Sequence, residues 1–111
     1  MSQLRLNLSQ GSVVIDFTPE AALKLKQEIN QLMQSLKAIA SQTPKPTPQK
    51  PMEYHYTGEV FLEVFCNPNI YPSPFAAKVL LTVRDDKIRL TTETELTRLL
   101  EDLEEYLAQA R

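Results

Sequence analysis

Residues 58–66 read Gly-Glu-Val-Phe-Leu-Glu-Val-Phe-Cys, and the rest of the predicted architecture is built around them. Successive side chains of a β-strand point to opposite faces of its sheet. As one strand, this stretch would place on one face Val60, Leu62, Val64 and Cys66. The other face would carry Phe61 and Phe65, beside Glu59 and Glu63. A strand with two apolar faces needs cover on both sides, which predicts a layered domain.

Two more alternating runs follow this stretch. Val79, Leu81 and Val83 alternate with mostly polar residues, and Ile88 and Leu90 resume the alternation after the turn signal at residues 84–87. The sequence therefore predicts a three-stranded antiparallel meander with strands at about 56–66, 77–84 and 87–91.

The N-terminal part predicts a β-hairpin followed by an amphipathic helix. Two period-2 runs flank a Gly-containing connection at residues 9–12, namely Leu4, Leu6, Leu8 and Val13, Ile15, Phe17. Thr18 then provides a helix cap, and Pro19 suits the first helical position. The helix carries a heptad-like apolar seam, consisting of Ala22, Leu25, Ile29, Leu32, Leu36 and Ile39. This seam predicts either packing on the chain's own sheet or, additionally, pairing with a second subunit through Leu32 and Leu36.

A proline-rich linker at residues 43–53 ends that helix, since alternate prolines force an extended backbone. It is interpreted as a semi-rigid spacer, with a docking motif at Pro48 and Pro51 as the alternative. Near the C-terminus, Thr92 and Glu95 match a capping box. A broad apolar stripe follows, made of Leu96, Leu99, Leu100, Leu103, Tyr106, Leu107 and Ala110. This predicts a helix covering the Val60, Leu62 and Val64 face. It leaves open whether the first helix or another subunit covers Phe61, Phe65 and Leu80.

These elements predict one small α+β domain over residues 1–111, since a chain of 111 residues with 42% hydrophobic content can close one core. Its order is N-terminal β-hairpin, amphipathic helix, Pro-rich crossover, three-stranded antiparallel meander, and C-terminal helix packed on the sheet.

Catalytic and metal-binding patterns are missing from the sequence. His55 and Cys66 are the single histidine and cysteine, and at opposite ends of one strand they would lie roughly 30 Å or more apart. The carboxylates of Glu101, Asp102 and Glu105 lack the glycine-containing loop of a calcium site, so they predict a solvated helix face. We therefore expect no enzyme activity, no cofactor and no bound metal.

Charge and composition narrow the class of partner. The net charge is −2, and glutamates flank the aromatic residues of the central stretch, so we expect no nucleic-acid binding. No apolar run approaches the length of a membrane span, and the lone cysteine fits a reducing compartment. These features predict a cytoplasmic protein that does not bind membranes.

The sequence predicts a non-catalytic protein–protein interaction or assembly module with a protein partner of unknown identity, and a homodimer is one form that it could take. The alternative is a regulatory protein that binds a small-molecule effector between sheet and helix. The stiff, proline-rich loop after Cys66 exposes aromatic and aliphatic residues that suit binding. The candidate partner-binding residues are Phe61, Phe65, Ile70, Tyr71, Phe75, Leu32 and Leu36.

Overall fold

The computed structural model describes residues 3–41 and 47–109, which form two antiparallel sheets and two α-helices. The elements in chain order are β1 (Gln3–Asn7), β2 (Ser12–Asp16), α1 (Pro19–Ser41), β3 (Met52–Thr57), β4 (Phe61–Cys66), β5 (Lys78–Arg84), β6 (Arg89–Glu95) and α2 (Leu96–Gln109). The predicted α+β class is confirmed. Residues 43–46 of the predicted linker and Ala110 of the predicted apolar stripe lie outside the described residues.

The N-terminal hairpin forms as predicted and makes a two-stranded sheet of its own. Strands β1 and β2 pair antiparallel, with Leu4 opposite Ile15 and Leu6 opposite Val13. Gly11 lies in the turn with a φ of 103°, a conformation that residues with a Cβ rarely adopt. Leu4, Leu6 and Ile15 are buried, so the hairpin presents one apolar side to the core.

The predicted three-stranded meander is wrong in its strand count, because the four-stranded sheet has the order β3-β4-β5-β6. The chain reverses direction at residues 58–60, where the Gly58 N–H donates to the Val60 carbonyl at 3.0 Å. A Cβ at Gly58 would collide with the ring of Tyr56, so glycine leaves room for that ring beside the turn. Met52 and Tyr54 are buried on β3, which has an apolar alternation of its own.

The predicted capping box is also wrong. Thr92 and Glu95 belong to β6, and helix α2 begins at Leu96, whose N–H donates to the Ala77 carbonyl at 3.0 Å. Pairing with β5 extends through Lys78 opposite Glu95. Threonine has a high β-propensity, and the ladder along β5 satisfies backbone groups that a helix start would leave without partners.

Helix α1 begins as the sequence predicts. The Thr18 hydroxyl accepts from the Ala21 N–H at 3.1 Å, and Pro19 is the first helical residue. All six seam residues are buried, namely Ala22, Leu25, Ile29, Leu32, Leu36 and Ile39. The seam therefore serves the core of this chain, and Leu32 and Leu36 are 3% and 0% exposed.

Both helices and the buried side of the four-stranded sheet contribute to one hydrophobic core. Helix α1 lies against β3 and α2, whereas α2 lies mainly against β1 and α1 and only to a lesser extent against β6. The prediction that the C-terminal helix covers the Val60, Leu62 and Val64 face thus needs correction. The isolated hairpin must bury its own apolar side, and α2 provides that cover.

Asn7 links the hairpin to the rest of the fold. Its backbone N–H and its side-chain amide donate to the two carboxylate oxygens of Asp102 on α2, at 2.8 and 2.7 Å. Its carbonyl accepts from the Thr94 hydroxyl on β6 at 3.1 Å. Asp102 is 8% exposed, so the solvated face predicted for this part of α2 is wrong at this position. Hydrogen bonds to a buried carboxylate are among the stronger ones in proteins.

We predict that Leu32→Glu combined with Leu36→Glu unfolds the chain. Both side chains are buried, and truncating even one such leucine to alanine costs about 2–5 kcal/mol; two buried carboxylates cost more. Circular dichroism and a urea titration measure the result. The matched control is Leu23→Glu on the same helix, where the leucine is 53% exposed. A well-folded monomeric double variant would show that these leucines serve an interface between subunits instead.

Asp102→Ala is expected to lower the free energy of unfolding by about 1–3 kcal/mol, because it removes the acceptor of the Asn7 backbone N–H. Glu101→Ala, the exposed neighbour on the same helix, should change it by less than about 0.5 kcal/mol. Urea denaturation of both variants measures the difference. If the two substitutions lowered the free energy of unfolding equally, the hydrogen bonds between Asp102 and Asn7 would not stabilise the fold.

Candidate functional site

The outer face is the side of the four-stranded sheet opposite the core, and it is the candidate functional site. Cross-strand register defines its members, because directly opposite residues in antiparallel strands share a face. They are Glu53, His55, Thr57, Phe61, Glu63, Phe65, Lys78, Leu80, Thr82, Arg84, Arg89, Thr91, Glu93 and Glu95. Both described helices contribute to the core on the other side, so α1 does not cover Phe61 and Phe65.

An apolar pair lies on the outer face. Phe65 of β4 is directly opposite Leu80 of β5, Phe65 is half-buried, and Leu80 is 40% exposed. Glu53 and Glu93 occupy the same cross-strand row, one on each side of the pair. An apolar centre with charged residues at its border is therefore accessible to solvent on this face.

Phe61 has a different environment from Phe65. The guanidinium of Arg84, its cross-strand partner, lies 4.3 Å from the centre of the Phe61 ring. The His55 ring lies 6.0 Å from the same ring. The cation–π contact holds Arg84 over the face of the ring, so Phe61 presents a mixed aromatic and cationic surface.

His55 pairs with Glu63 on the outer face. Their Nε2 and Oε2 atoms are 3.0 Å apart, and both side chains are partly exposed. The sequence predicted that His55 and Cys66 lie at opposite ends of one strand, but the turn at residues 58–60 brings β3 back along β4. Met52 is opposite Cys66, and His55 lies on the other face, so a Cys-His pair is still not formed.

Cys66 is a buried residue of the core, as the sequence predicts. Its side chain is 1% exposed, and burial raises the pKa of the thiol from an ordinary value of 9.0 to about 11. Since the thiolate is the reactive form, a protonated and inaccessible thiol is a poor nucleophile.

The loop between β4 and β5 carries the most exposed apolar side chains of the partner-binding set. Ile70 is 67% exposed and Phe75 is 80% exposed. Tyr71 is half-buried against the core, and burial, followed by the nearby Cys66 and Glu93, raises the pKa of its hydroxyl. Ile70 and Phe75 are therefore accessible to a partner, whereas much of the Tyr71 side chain packs against the core.

Asn69 attaches this loop to the proline-rich segment. Its side-chain carbonyl accepts from the Gln49 N–H at 2.7 Å, and its amide donates to the Gln49 carbonyl at 2.8 Å. The Asn67 side chain in turn accepts from the Asn69 N–H at 3.0 Å. These bonds join the loop between β4 and β5 to the described part of the proline-rich segment.

An open groove of about 420 Å³ lies between α1 and the start of β3. Its lining includes Glu28, Gln31, Ser35, Lys50 and Glu53. Small-molecule sites are usually enclosed and apolar with a few convergent polar groups. In the described part of the chain, no buried side-chain nitrogen or oxygen lacks a hydrogen-bond partner. The groove therefore offers a ligand no buried polar group that is still without a hydrogen bond.

Residues 3–41 and 47–109 contain no group of three or more His, Cys, Asp or Glu side chains placed to hold a metal ion. Over the same ranges, neither helix combines the length and the apolarity needed to cross a lipid bilayer.

Sequence reasoning missed two contributors to the outer face, which are Arg84 and the pairing of His55 with Glu63. Each depends on the register between strands, and a turn or a long loop separates the strands concerned. A glycine inside an alternating run is the one signal that indicates a break or turn, and Gly58 has that position.

Comparison with protein-family models, with curated proteins and with solved structures gave no match for this chain.

Cys66 in the folded chain should react with a disulfide reagent at pH 8 at least about a hundredfold more slowly than in the unfolded chain. Its raised pKa alone lowers the thiolate fraction by about that factor, because each pKa unit is tenfold. The release of thionitrobenzoate measures the rate, with the guanidinium-unfolded chain as the reference. A native rate close to the unfolded rate would contradict the burial of Cys66.

Proposed function

We propose that this chain is a non-catalytic protein-interaction or assembly module that binds a protein partner through the outer face. The observation that carries the proposal is the apolar pair Phe65–Leu80, which stays accessible on the face of the sheet opposite the hydrophobic core. An uncovered sheet face with an apolar centre and a charged border has the composition of a protein interface.

The arrangement around the apolar pair adds specificity to this surface. Glu53 and Glu93 border the pair in its own row, and Arg84 lies further along the face above Phe61. Charged residues at the border of an interface select partners with complementary charge and increase the rate of association. A partner with an apolar patch flanked by basic residues fits the pair and its two glutamates.

The loop supplies a second contact region. Ile70 and Phe75 are exposed, and the bonds between Asn69 and Gln49 hold the loop in place. A restrained loop loses little conformational entropy when a partner binds, so its apolar side chains contribute more of their contact energy to affinity.

Leu32 and Leu36 do not contribute to this surface, because both are buried in the core of the single chain. A homodimer built on the helical seam would require the core to open. Self-association therefore needs a different surface, and the outer face is proposed for a partner protein.

A second candidate function, the binding of a small effector, is supported by the groove between α1 and β3. The polar residues Gln31, Lys50 and Glu53 at its border are exposed, so they remain hydrated without a ligand. Hydrated groups gain less on binding than buried ones, and this makes the groove the weaker site.

To test the outer face, we predict that Phe65→Thr combined with Leu80→Thr weakens partner capture at least tenfold. Threonine keeps the β-propensity of the strands while it removes two apolar side chains, each worth about 1–2 kcal/mol at an interface. Tagged wild-type and variant chains are incubated with lysate of the source organism, and the captured proteins are quantified by mass spectrometry.

The matched control is Val14→Thr combined with Ile88→Thr, which changes two exposed apolar residues away from the apolar pair. It should capture the same partner as the wild type. Thermal unfolding confirms that both variants fold. Equal capture by the outer-face variant and the wild type, or no partner at all, would contradict the proposal.

A further inference from the structure

Strand β6 is an open edge of the four-stranded sheet. Among the described residues it pairs with β5 only, and its residues 89–93 are exposed apart from the half-buried Thr92. An edge strand presents unpaired N–H and C=O groups that can pair with another strand. The other edge, β3, lies against α1 and directly follows Pro51, which cannot donate a hydrogen bond.

The sequence of β6, Arg-Leu-Thr-Thr-Glu-Thr-Glu, has charged side chains but lacks two other common protections of an edge. It contains no proline and no lysine, and three of its seven residues are threonines, which favour strands. Its charges have an ordered distribution along the outer face, with Arg89 near the start and Glu93 and Glu95 near the end.

Arg89 has an unfavourable position within the single chain. It is directly opposite Arg84 on β5, and like charges in that relation repel each other. In the described part of the chain, the salt bridges join Lys26 to Glu104 and His55 to Glu63, so neither Arg89 nor Glu93 has an ion-pair partner. A nearby carboxylate would offset the repulsion at Arg89.

We propose that β6 pairs antiparallel with β6 of a second copy of this chain, about a two-fold axis at Thr91. In this register Arg89 lies opposite Glu93 of the second copy. The symmetry repeats this pair, which gives two contacts between opposite charges. The strand is therefore complementary to itself in charge as well as in hydrogen bonding.

The resulting dimer has one continuous eight-stranded sheet. The outer faces of the two copies lie side by side in it, because a two-fold axis perpendicular to the sheet preserves the face. The pairing uses the edge of the sheet and not the apolar pair Phe65–Leu80, with Glu93 lying at the border of both, so it goes beyond the proposed function. Either proposal can fail while the other holds.

The test is the mass in solution, measured by light scattering on the full chain over a range of concentrations. The wild type should reach twice 12.7 kDa. Arg89→Glu should weaken the dimer about tenfold, because it converts attraction into repulsion at two symmetric positions. Glu93→Arg should weaken it in the same way.

Mixing the variants tests the register. An equimolar mixture of the Arg89→Glu variant with the Glu93→Arg variant should restore a dimer, since an acidic strand then meets a basic one. The combined variant Arg89→Glu with Glu93→Arg should dimerise by itself. This recovery would show that the single variants had kept their fold.

Thr91→Cys in a Cys66→Ala background should form a disulfide between copies on mild oxidation, because the axis places residue 91 of each copy together. Thr57→Cys on strand β3 in the same background is the control and should stay reduced. A wild type that is monomeric at every concentration, dimers unaffected by the charge reversals, or a mixture that stays monomeric would each overturn the proposal.

Discussion

The structure depends on the burial of one face of β4 and β5 in the core that they share with both helices and the N-terminal hairpin. Leu62, Val64 and Leu81 are at most 1% exposed, and they share one core with residues of α1 and α2. Because side chains alternate along a strand, burying these residues directs Phe65 and Leu80 to the opposite side. The candidate binding surface is thus a geometric consequence of the same packing that stabilises the fold.

The turn at residues 58–60 determines which side chains the outer face carries. With one long strand, His55 would lie beyond the end of the meander. The reversal places it opposite Glu63 and adds β3 as an edge strand. At the other edge, pairing with β5 extends β6 to Glu95, which creates the exposed charged strand. Backbone hydrogen bonding explains both features, because four paired strands give partners to more backbone N–H and C=O groups than three strands do.

Short sequence patterns correctly predicted the helices and strands whose ends are set by residues nearby in the chain. Thr18 caps α1 through the Ala21 N–H, and the seam of α1 is buried at all six positions. Local signals failed where a distant strand competed with them. Thr92 and Glu95 match a capping box, but pairing with β5 determines their conformation. The role of Asp102 was missed for the same reason, since its partner Asn7 lies 95 residues away in the sequence.

The sequence by itself determined the α+β class, the hairpin, the two amphipathic helices and the alternation that separates Leu62 and Val64 from Phe61 and Phe65. These properties depend on periodicity and on residue types close together in the chain. Only the tertiary structure decided the strand register, the burial of Leu32 and Leu36 within one chain, and the open face and edge of the four-stranded sheet. The strand register and the choice of which faces are buried depend on contacts between segments that are distant in the sequence. A local sequence pattern carries no information about the free energy of those contacts.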